Sequence, residues 1–266
     1  MISASVVTFH NDLIQLQGCF NSLLKYVDKL YIIDNSSNTK IKQICNLKEI
    51  EYQHNSKNLG FGKAHNIAIN KAIFNGAEYH LVVNPDIFFN EDVITPMIKF
   101  MSKRKDVGMM MPKILYPTGD TQYLPKLLPS PFDLILRKLK WPKKLYENFI
   151  YKYELRQNPD NIFNSPILSG CFTLLNLNAI KEIGLYDERF FMYFEDFDLS
   201  RRMHKKYKTL YYPLVSVYHE YESGANKSFR LFIIFIISAI KYFNKWGWFF
   251  DNERIKINNT ILNHLR

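Results

Sequence analysis

Residues 81–89 read Leu-Val-Val-Asn-Pro-Asp-Ile-Phe-Phe, and they decide the fold. The leading apolar residues predict a buried strand, which must end at Pro85 because proline cannot donate a hydrogen bond to a sheet ladder. Asp86 is thereby placed at the carboxyl end of a strand, the edge where open α/β sheets bind ligands. With the amide of Asn84 nearby, this carboxylate suits a divalent cation that holds a phosphate. A plain Asn-Pro-Asp turn accounts for the same residues equally well.

Strands and helices alternate on both sides of this stretch. Apolar runs predict strands at residues 6–9, 30–33, 50–53, 81–84 and 170–175. Helical spacing predicts helices that follow Asp12, run over residues 63–74 and run over residues 94–101. Such alternation implies right-handed crossovers. We therefore predict an α/β fold with a Rossmann-like, mainly parallel sheet flanked by helices, followed by a C-terminal helical extension.

Two other polar segments follow strands of this predicted sheet. Asp34 and Asn35 end the second strand, so a second carboxylate lies at a strand tip. Residues 58–66 follow the third strand and read Asn-Leu-Gly-Phe-Gly-Lys-Ala-His-Asn. Gly60 and Gly62 open a helix, where backbone amides can approach a phosphate closely. The spacing is not Gly-x-Gly-x-x-Gly and does not follow the first strand, which disfavours a dinucleotide-binding fold.

An aromatic run meets three acidic residues at residues 190–198, which read Phe-Phe-Met-Tyr-Phe-Glu-Asp-Phe-Asp. The acids suit the first turn of a helix, because the helix dipole favours negative charge at its N-terminus. A pair with Arg202 at i,i+4 explains Asp198 structurally. Glu195 and Asp196, beneath bulky aromatic side chains, are the better candidates for chemistry.

Few other residues suggest a metal site. Three cysteines, Cys19, Cys45 and Cys171, are odd in number and widely spaced, so they indicate neither a disulfide framework nor a zinc site. The strand-like segment 211–218 delivers His219, but a lone histidine is more often structural or solvated than a ligand.

The composition favours an anionic partner and a cytoplasmic setting. The chain has 266 residues and a net charge of +10, which suits nucleic acid, a nucleotide or an acidic membrane surface. The sequence contains no zinc-finger spacing, helix-turn-helix or RNP-like strand, so nucleic acid is disfavoured. The first strand begins almost at the N-terminus, without the basic and apolar regions of a signal peptide. We expect a protein that stays in a reducing cytoplasm.

Two segments indicate contact with a membrane surface. Residues 137–156 contain seven Lys or Arg against two Glu. Residues 231–240 are apolar, but ten helical residues reach only about 15 Å, against about 30 Å of hydrocarbon in a bilayer. This second segment is therefore a buried or an interfacial helix rather than a membrane span. We expect both segments to bind an anionic membrane face, although a solvated basic face and an ordinary core helix would explain them nearly as well.

The quoted segments resemble the family 2 glycosyltransferases with the GT-A fold, especially the bacterial rhamnosyltransferase-like branch. One such match would mean little, but seven in the family's order are strongly specific. They are residues 6–9, 33–36, 58–66, 84–86, 184–188, 191–198 and His219. The resemblance implies a GT-A domain over residues 1–222 and a C-terminal helical extension over residues 223–266. Within the domain, residues 1–111 would bind the nucleotide-sugar, and residues 112–222 would bind the acceptor and carry the catalytic residues.

The resemblance also implies roles for individual residues in the nucleotide-sugar site. The residues that would bind the donor are Thr8, Phe9, Asp34, Asn35, Gly60, Gly62, His65, Asn66 and Asn84. Among them, Asp34 would accept a hydrogen bond from a pyrimidine N–H. His65 stands where many relatives carry Arg.

Metal and catalytic roles follow from the same resemblance. Asp86 matches the last acid of the family's Asp-x-Asp metal motif, and His219 matches a histidine that can complete the metal site. The chain departs from the motif at Asn84, where the first acid would stand. Asp196 matches the catalytic base, with Glu195 beside it to bind acceptor hydroxyls.

The implied activity is an inverting sugar transfer that depends on Mg²⁺ or Mn²⁺. The sugar would be rhamnose or another deoxyhexose, carried by a dTDP-, UDP- or GDP-linked donor. The acceptor would be a saccharide on polyprenyl diphosphate, used for bacterial surface polysaccharide at the inner face of the plasma membrane.

Two other functions compete with this interpretation. A sugar-nucleotide pyrophosphorylase should carry a Gly-rich, Arg-containing loop after the first strand, and residues 8–11, Thr-Phe-His-Asn, are not such a loop. A non-catalytic sugar-nucleotide-binding module is the remaining alternative. Glu195 and Asp196 discriminate against it, because a binding module has no use for a base.

Overall fold

The computed structural model describes residues 1–220 and 228–265, and the strands of this part of the chain form one sheet of nine strands. They are β1 (Ile2–Thr8), β2 (Lys29–Asp34), β3 (Ile50–His54), β4 (Tyr79–Val83), β5 (Ile87–Phe88), β6 (Val107–Leu115), β7 (Phe163–Asn164), β8 (Phe172–Asn176) and β9 (Lys208–His219). Their order in the sheet is β3-β2-β1-β4-β8-β6-β9-β5, with β7 paired to β9. The helices are α1 (Leu13–Leu23), α2 (Phe61–Phe74), α3 (Ile94–Ser102), α4 (Pro131–Leu139), α5 (Lys143–Tyr153), α6 (Leu177–Ile183), α7 (Glu195–His204), α8 (Phe229–Trp246) and α9 (Asn252–His264). The predicted α/β fold is confirmed.

The first half of the sheet is parallel, as the sequence predicts. β1 pairs with β2 and β4, β2 pairs with β3, and all three pairs are parallel. Thr8 lies opposite Asp34, and Val6 lies opposite Val83. The carboxyl ends of β1, β2 and β4 therefore meet at one edge of the sheet, called the carboxyl edge below. β2 and β4 are almost wholly buried, which explains their continuous apolar sequences.

The second half of the sheet is mixed. β8 runs antiparallel to β4 and β6, whereas β9 runs parallel to β6. An apolar run does not encode strand direction, so the sequence predicted the strand at β8 but not its orientation. β6 also crosses the predicted division between residues 111 and 112, so the two halves share one continuous sheet. Pro213 lies where the register of β6 and β9 shifts. No ladder hydrogen bond is needed from its nitrogen there, which suits a residue without an N–H.

The helices that border the carboxyl edge begin and end at the predicted signals. Asp12 caps α1 by accepting two backbone hydrogen bonds. α2 begins directly after Gly60 and ends just before Gly76, whose φ of 75° suits the residue that closes a helix. α7 begins at Glu195, as the acidic first turn predicts.

The C-terminal helices pack onto the rest of the chain. α8 is longer than the predicted apolar segment 231–240. The Arg201 guanidinium of α7 is buried and donates to both carboxylate oxygens of Asp251, at 2.8 and 2.7 Å. Among the described helices none is both long and apolar enough to cross a membrane, as expected for residues 231–240. The predicted domain boundary between residues 222 and 223 falls outside the described residues.

The Arg201–Asp251 pair should be a main support of the C-terminal helices. Arg201→Met removes both hydrogen bonds to the buried Asp251 carboxylate and leaves Arg254, 3.8 Å away, as its cation, so we expect the free energy of unfolding to fall by about 3 kcal/mol. Burial opposes ionisation of Asp251, but the hydrogen bond from Arg201 holds its pKa below the ordinary value. The stabilisation is thus present above the ordinary Asp pKa and is lost as the pH falls through the lowered one.

Urea unfolding at neutral and acidic pH measures both effects. Lys143→Met is the matched control, because Lys143 and Glu147 form an exposed pair at 3.9 Å and the change should leave stability nearly unaltered. Equal stability of the two variants at neutral pH would contradict the expectation.

Candidate active site

Asp34 is fixed at the carboxyl edge by hydrogen bonds within the protein. Its carboxylate accepts from Thr8 Oγ1 at 3.1 Å, from the Ser36 N–H at 2.9 Å and from Tyr52 Oη at 2.7 Å. Burial and the adjacent Asp34 raise the pKa of Tyr52, so this phenol stays protonated. Thr8 and Asp34 have no exposed surface, whereas Phe9 is 54% exposed. Of the three predicted donor-binding residues Thr8, Phe9 and Asp34, Phe9 is therefore the one that is exposed to solvent.

Two glycines at the start of α2 let a distant segment pack against the carboxyl edge. Gly60 has a φ of 83°, and a Cβ atom there would overlap the carbonyl oxygen of Phe191. The same oxygen accepts from the Phe61 N–H at 2.9 Å. A Cβ atom at Gly62 would lie only 2.9 Å from Tyr186 Cβ. Both positions need glycine because the protein packs against itself there, and their contact with a phosphate stays a prediction.

Asn35 and Asn66 position the same two segments. Asn35 Nδ2 donates to the Gly60 carbonyl at 3.2 Å. Asn66 Oδ1 accepts from the Tyr186 N–H at 3.0 Å, while its Nδ2 donates to the Tyr186 carbonyl at 2.9 Å. Both asparagines are buried. They therefore support the shape of the site, and their contact with a nucleoside stays a prediction.

His65 is a buried, neutral imidazole. Its Nδ1 lies 2.7 Å from Ser5 Oγ, which is also 2.8 Å from Nε2 of His80. Burial, and secondarily His80, lower the pKa of His65 well below its ordinary value. His65 Nε2 has no hydrogen-bond partner among the described residues. His65 therefore cannot supply the positive charge that Arg would bring to this position.

A second cluster, the Asp86 corner, consists of Asn84, Asp86, Gln122 and His219. Asn84 and Asp86 follow β4, and His219 ends β9. His219 Nε2 lies 3.3 Å from Asp86 Oδ1 and 3.4 Å from Asn84 Nδ2. The structure thus brings together the two predicted metal ligands, which are far apart in the sequence.

Gln122 determines which nitrogen of His219 faces Asp86. Its Nε2 donates to the carbonyl oxygens of His219 at 2.9 Å and Leu115 at 3.3 Å, so its Oε1 faces His219 Nδ1, 3.0 Å away. An amide oxygen only accepts, so Nδ1 carries a proton, and Nε2 is the ring nitrogen that lies beside Asp86. Sequence reasoning missed Gln122 because it lies on a loop without a motif.

The Asp86 corner suits a divalent cation. Asp86 Oδ1 is buried and accepts no hydrogen bond within the described chain. It lies 3.3 Å from His219 Nε2, close to the spacing of two adjacent ligands on an octahedral ion, about 3 Å. No group of three His, Cys, Asp or Glu in the described ranges forms a metal site. Oxygen atoms of a bound diphosphate and water would have to complete the coordination.

Asp86 can be reached from solvent. A cleft of about 620 Å³ opens between α1 and β5, and its lining includes Gln15, Lys25, Asp86 and Glu220. Gln15 Nε2 donates to Glu220 at 2.8 Å, which joins α1 to the end of β9. The Asp86 side chain is 21% exposed.

Glu195 and Asp196 begin α7 directly after a strained turn. Tyr193 and Phe194 have φ values of 68° and 67°, a left-handed conformation that costs each non-glycine residue about 1–3 kcal/mol. The ring of Phe235 in α8 lies 5.7 Å from that of Tyr193 and 5.3 Å from that of Phe194. Strain of this kind persists only where the surroundings enforce it, and it concentrates at functional sites.

The two acids differ in how readily they ionise. Burial, and then the adjacent Asp196, raise the pKa of Glu195 well above its ordinary value. Burial also raises the pKa of Asp196. Hydrogen bonds from the N–H groups of Gly170 at 3.2 Å and Phe197 at 2.9 Å, together with the nearby Lys126, favour the ionised form of Asp196. Asp196 is therefore the more readily ionised member of the pair, and so the one available to accept a proton.

Two consecutive residues connect these acids to the Asp86 corner. The N–H of Gly170 donates to Asp196, and the carbonyl of the next residue, Cys171, accepts from the Asn84 N–H at 2.8 Å. The acid pair and the Asp86 corner therefore flank the same short segment at the carboxyl edge.

Asp198 has the structural role that the sequence predicts. Its buried carboxylate accepts from Arg202 at 2.8 Å and from Trp246 at 2.9 Å, and it forms an ion pair with Lys245 at 2.6 Å. These contacts tie α7 to α8. Asp198 is thus excluded as a base.

Known proteins resemble this chain in sequence. A rhamnosyltransferase of Escherichia coli (strain K12), WbbL, is 24% identical over 216 residues, which cover 76% of this chain and 78% of WbbL. The N-acetylglucosaminyl-diphospho-decaprenol L-rhamnosyltransferase of Mycobacterium tuberculosis is 29% identical over 149 residues, which cover 53% of this chain. The match spans about half of that relative, 47% of its length.

A solved structure and a family model agree with these sequence matches. The crystal structure of GalNAc-T7 with UDP, GalNAc and Mn²⁺ superposes with a TM-score of 0.63 at 17% identity, over 84% of this chain and 44% of GalNAc-T7. This likeness supports the GT-A fold. Residues 5–184, about two thirds of the chain, match the family model of glycosyl transferase family 2. The chain belongs to glycosyl transferase family 2.

Proposed function

We propose that this protein is an inverting, metal-dependent glycosyltransferase that moves rhamnose or another deoxyhexose from a dTDP-, UDP- or GDP-linked donor to a saccharide. Family membership supports sugar transfer, and two relatives named as rhamnosyltransferases support the donor class. The name of the mycobacterial relative supports an acceptor on polyprenyl diphosphate. We assign the reaction to bacterial surface polysaccharide synthesis at the cytoplasmic face of the membrane.

One observation carries this proposal: Gly170 and Cys171 join the acid pair to the Asp86 corner. A displacement at a sugar carbon needs a base on one side of the sugar and a site for the leaving diphosphate on the other. Asp196 and Asp86 flank a common segment and are suited to these two tasks. Asp86 cannot also be the base, because it belongs to the side of the leaving group.

Asp196 would act as the general base. The acceptor hydroxyl gives its proton to Asp196 while its oxygen bonds to the anomeric carbon, and the bond from that carbon to the diphosphate oxygen breaks with its electron pair. Attack opposite the leaving group inverts the anomeric centre. Glu195, whose pKa is raised further by burial, is suited to donate a hydrogen bond to the acceptor.

Asp86 and His219 would hold Mg²⁺ or Mn²⁺, which neutralises charge on the diphosphate when bound. GalNAc-T7, which shares the fold, was solved with Mn²⁺. Gln122 would keep the His219 lone pair turned toward Asp86. The exposed ring of Phe9 would be free to stack on the nucleoside base.

A non-catalytic sugar-nucleotide-binding module is the competing function. Such a module would use Asp34 and the Asp86 corner, but it gains nothing from two adjacent acids, the buried Glu195 and the half-buried Asp196, after a strained turn. The acid pair therefore favours the enzyme.

Asp196→Asn tests the general base. We expect turnover to fall by about 10² to 10⁴ because the acceptor hydroxyl loses its proton acceptor, while donor affinity changes little. In the wild type, the rate should rise with pH through the raised pKa of Asp196, so its acidic limb lies above the ordinary Asp value of about 4.

Steady-state kinetics and calorimetric donor binding measure these effects. Asp198→Asn, in the same helix, should mainly lower thermal stability. Normal turnover of Asp196→Asn would show that the base lies elsewhere, and loss of donor binding would show a structural role for Asp196.

Gln122→Leu and Asp86→Ala test the metal assignment. Asp86→Ala removes a ligand, so we expect transfer to lose most of its rate and Mn²⁺ to lose its effect on nucleoside diphosphate binding. Gln122→Leu leaves both ligands in place but frees the His219 ring, so we expect Mn²⁺ affinity to weaken by about 10- to 100-fold. Electron paramagnetic resonance of Mn²⁺ with the nucleoside diphosphate provides the readout. Chelator-insensitive transfer at the wild-type rate in Asp86→Ala would refute the assignment.

A further inference from the structure

Helix α8 exposes a continuous apolar stripe. Its buried side consists of Ser238, Ala239, Tyr242 and Phe243. The opposite side repeats at helical spacing and is between 38% and 80% exposed, at Phe229, Ile233, Ile236, Ile237 and Ile240. A helix in water normally turns polar residues outward, so this stripe indicates contact with something other than water.

Helix α4 carries a second exposed apolar stripe beside the first. Together with Trp141, two residues beyond the helix, its members Phe132, Ile135 and Leu139 are between 55% and 74% exposed. The two helices touch, since Lys138 Nζ lies 5.1 Å from the centre of the Phe232 ring. Leu134 packs on the buried cluster that contains Tyr242 and Phe243. The two stripes together are called the α4–α8 face below.

The charge around this face is mostly positive, and the one acid of α4, Asp133, is engaged in the capping box with Ser130. Residues 134–146 contain five Lys or Arg and no Asp or Glu. Residues 228–250 contain three Lys or Arg and again no Asp or Glu. Apolar side chains with a basic rim complement an anionic lipid surface, where the rings and aliphatic groups enter the interface and the cations stay at the headgroups.

We propose that the α4–α8 face docks on the surface of an anionic lipid bilayer, with both helices in the plane of the interface. A second copy of the chain fits this face less well. A two-fold contact would place the basic residues of one copy, such as Lys140, Lys143 and Lys144, near those of the other, and like charges repel.

The docked orientation would place the acid pair close to the lipid. The buried side of α8 contacts the strained turn: Ser238 Oγ donates to the Met192 carbonyl at 2.8 Å, and the ring centroids of Phe194 and Tyr242 lie 5.3 Å apart. The turn before Glu195 is thus separated from the membrane by one helix, about 10 Å. If the proposed function holds, this position suits an acceptor that is anchored in the membrane.

Vesicle flotation of the full chain tests the docking directly and needs no substrate. We expect the protein to float with vesicles of phosphatidylcholine and phosphatidylglycerol at low salt, and far less with phosphatidylcholine alone. Replacing Lys140, Lys143 and Lys144 by Gln should weaken partitioning on the order of 100-fold. Either Ile237→Glu on α8 or Phe132→Glu on α4 should weaken it at least about 10-fold, because a charge replaces an inserted apolar group.

Phe74→Glu is the matched control, because Phe74 is 90% exposed at the end of α2 and lies outside the α4–α8 face. It should float like the wild type. The proposal is overturned if the wild type does not float with anionic vesicles, or if Phe74→Glu loses as much binding as Ile237→Glu. It is also overturned if sedimentation shows a dimer that Ile237→Glu dissociates. Since flotation is measured without donor or acceptor, its outcome is independent of whether sugar transfer is confirmed.

Discussion

The absence of a side chain at Gly60 is the constraint on which the site depends. Gly60 has a φ of 83°, and its Cα lies so close to the Phe191 carbonyl that any Cβ would overlap it. This close approach seats the segment before α7 on the start of α2. From there Asp196 accepts a hydrogen bond from the Gly170 N–H, and the carbonyl of the next residue, Cys171, accepts one from the Asn84 N–H. One backbone contact thus brings the acid pair and the Asp86 corner to the same edge of the sheet.

Helix α8 completes this arrangement from the other side. Tyr193 and Phe194 are held in a left-handed conformation by the ring of Phe235, while the Met192 carbonyl accepts from Ser238. The strain at the turn is therefore enforced by α2 on one side and by α8 on the other. If α8 also lies on a membrane, the same helix would shape the catalytic turn and set its distance from a lipid-linked acceptor.

Local sequence signals predicted the elements around the carboxyl edge, but not the tertiary contacts between them. Apolar periodicity and the Asp12 cap gave the strands and helices around the carboxyl edge. Tyr52 and Gln122 were missed, because their roles arise from segments distant in sequence that meet only in the fold. The start of α4 was missed because no clean apolar period marks residues 112–166, although Ser130 and Asp133 form a capping box around a proline there.

The most direct test of the account compares Gly60→Ala with Gly76→Ala. Both glycines have positive φ, so both variants carry backbone strain, and it is greater at Gly60 because a ψ of −176° combined with positive φ is a conformation that essentially only glycine adopts. A Cβ at Gly76 meets no atom within 4 Å, whereas a Cβ at Gly60 overlaps the Phe191 carbonyl. We expect Gly76→Ala to keep its turnover, whereas Gly60→Ala should lose about 100-fold or more because the Phe191 segment moves and misplaces the acids. Equal turnover of the two folded variants would contradict the account, since the acid pair would then not depend on the contact at Gly60.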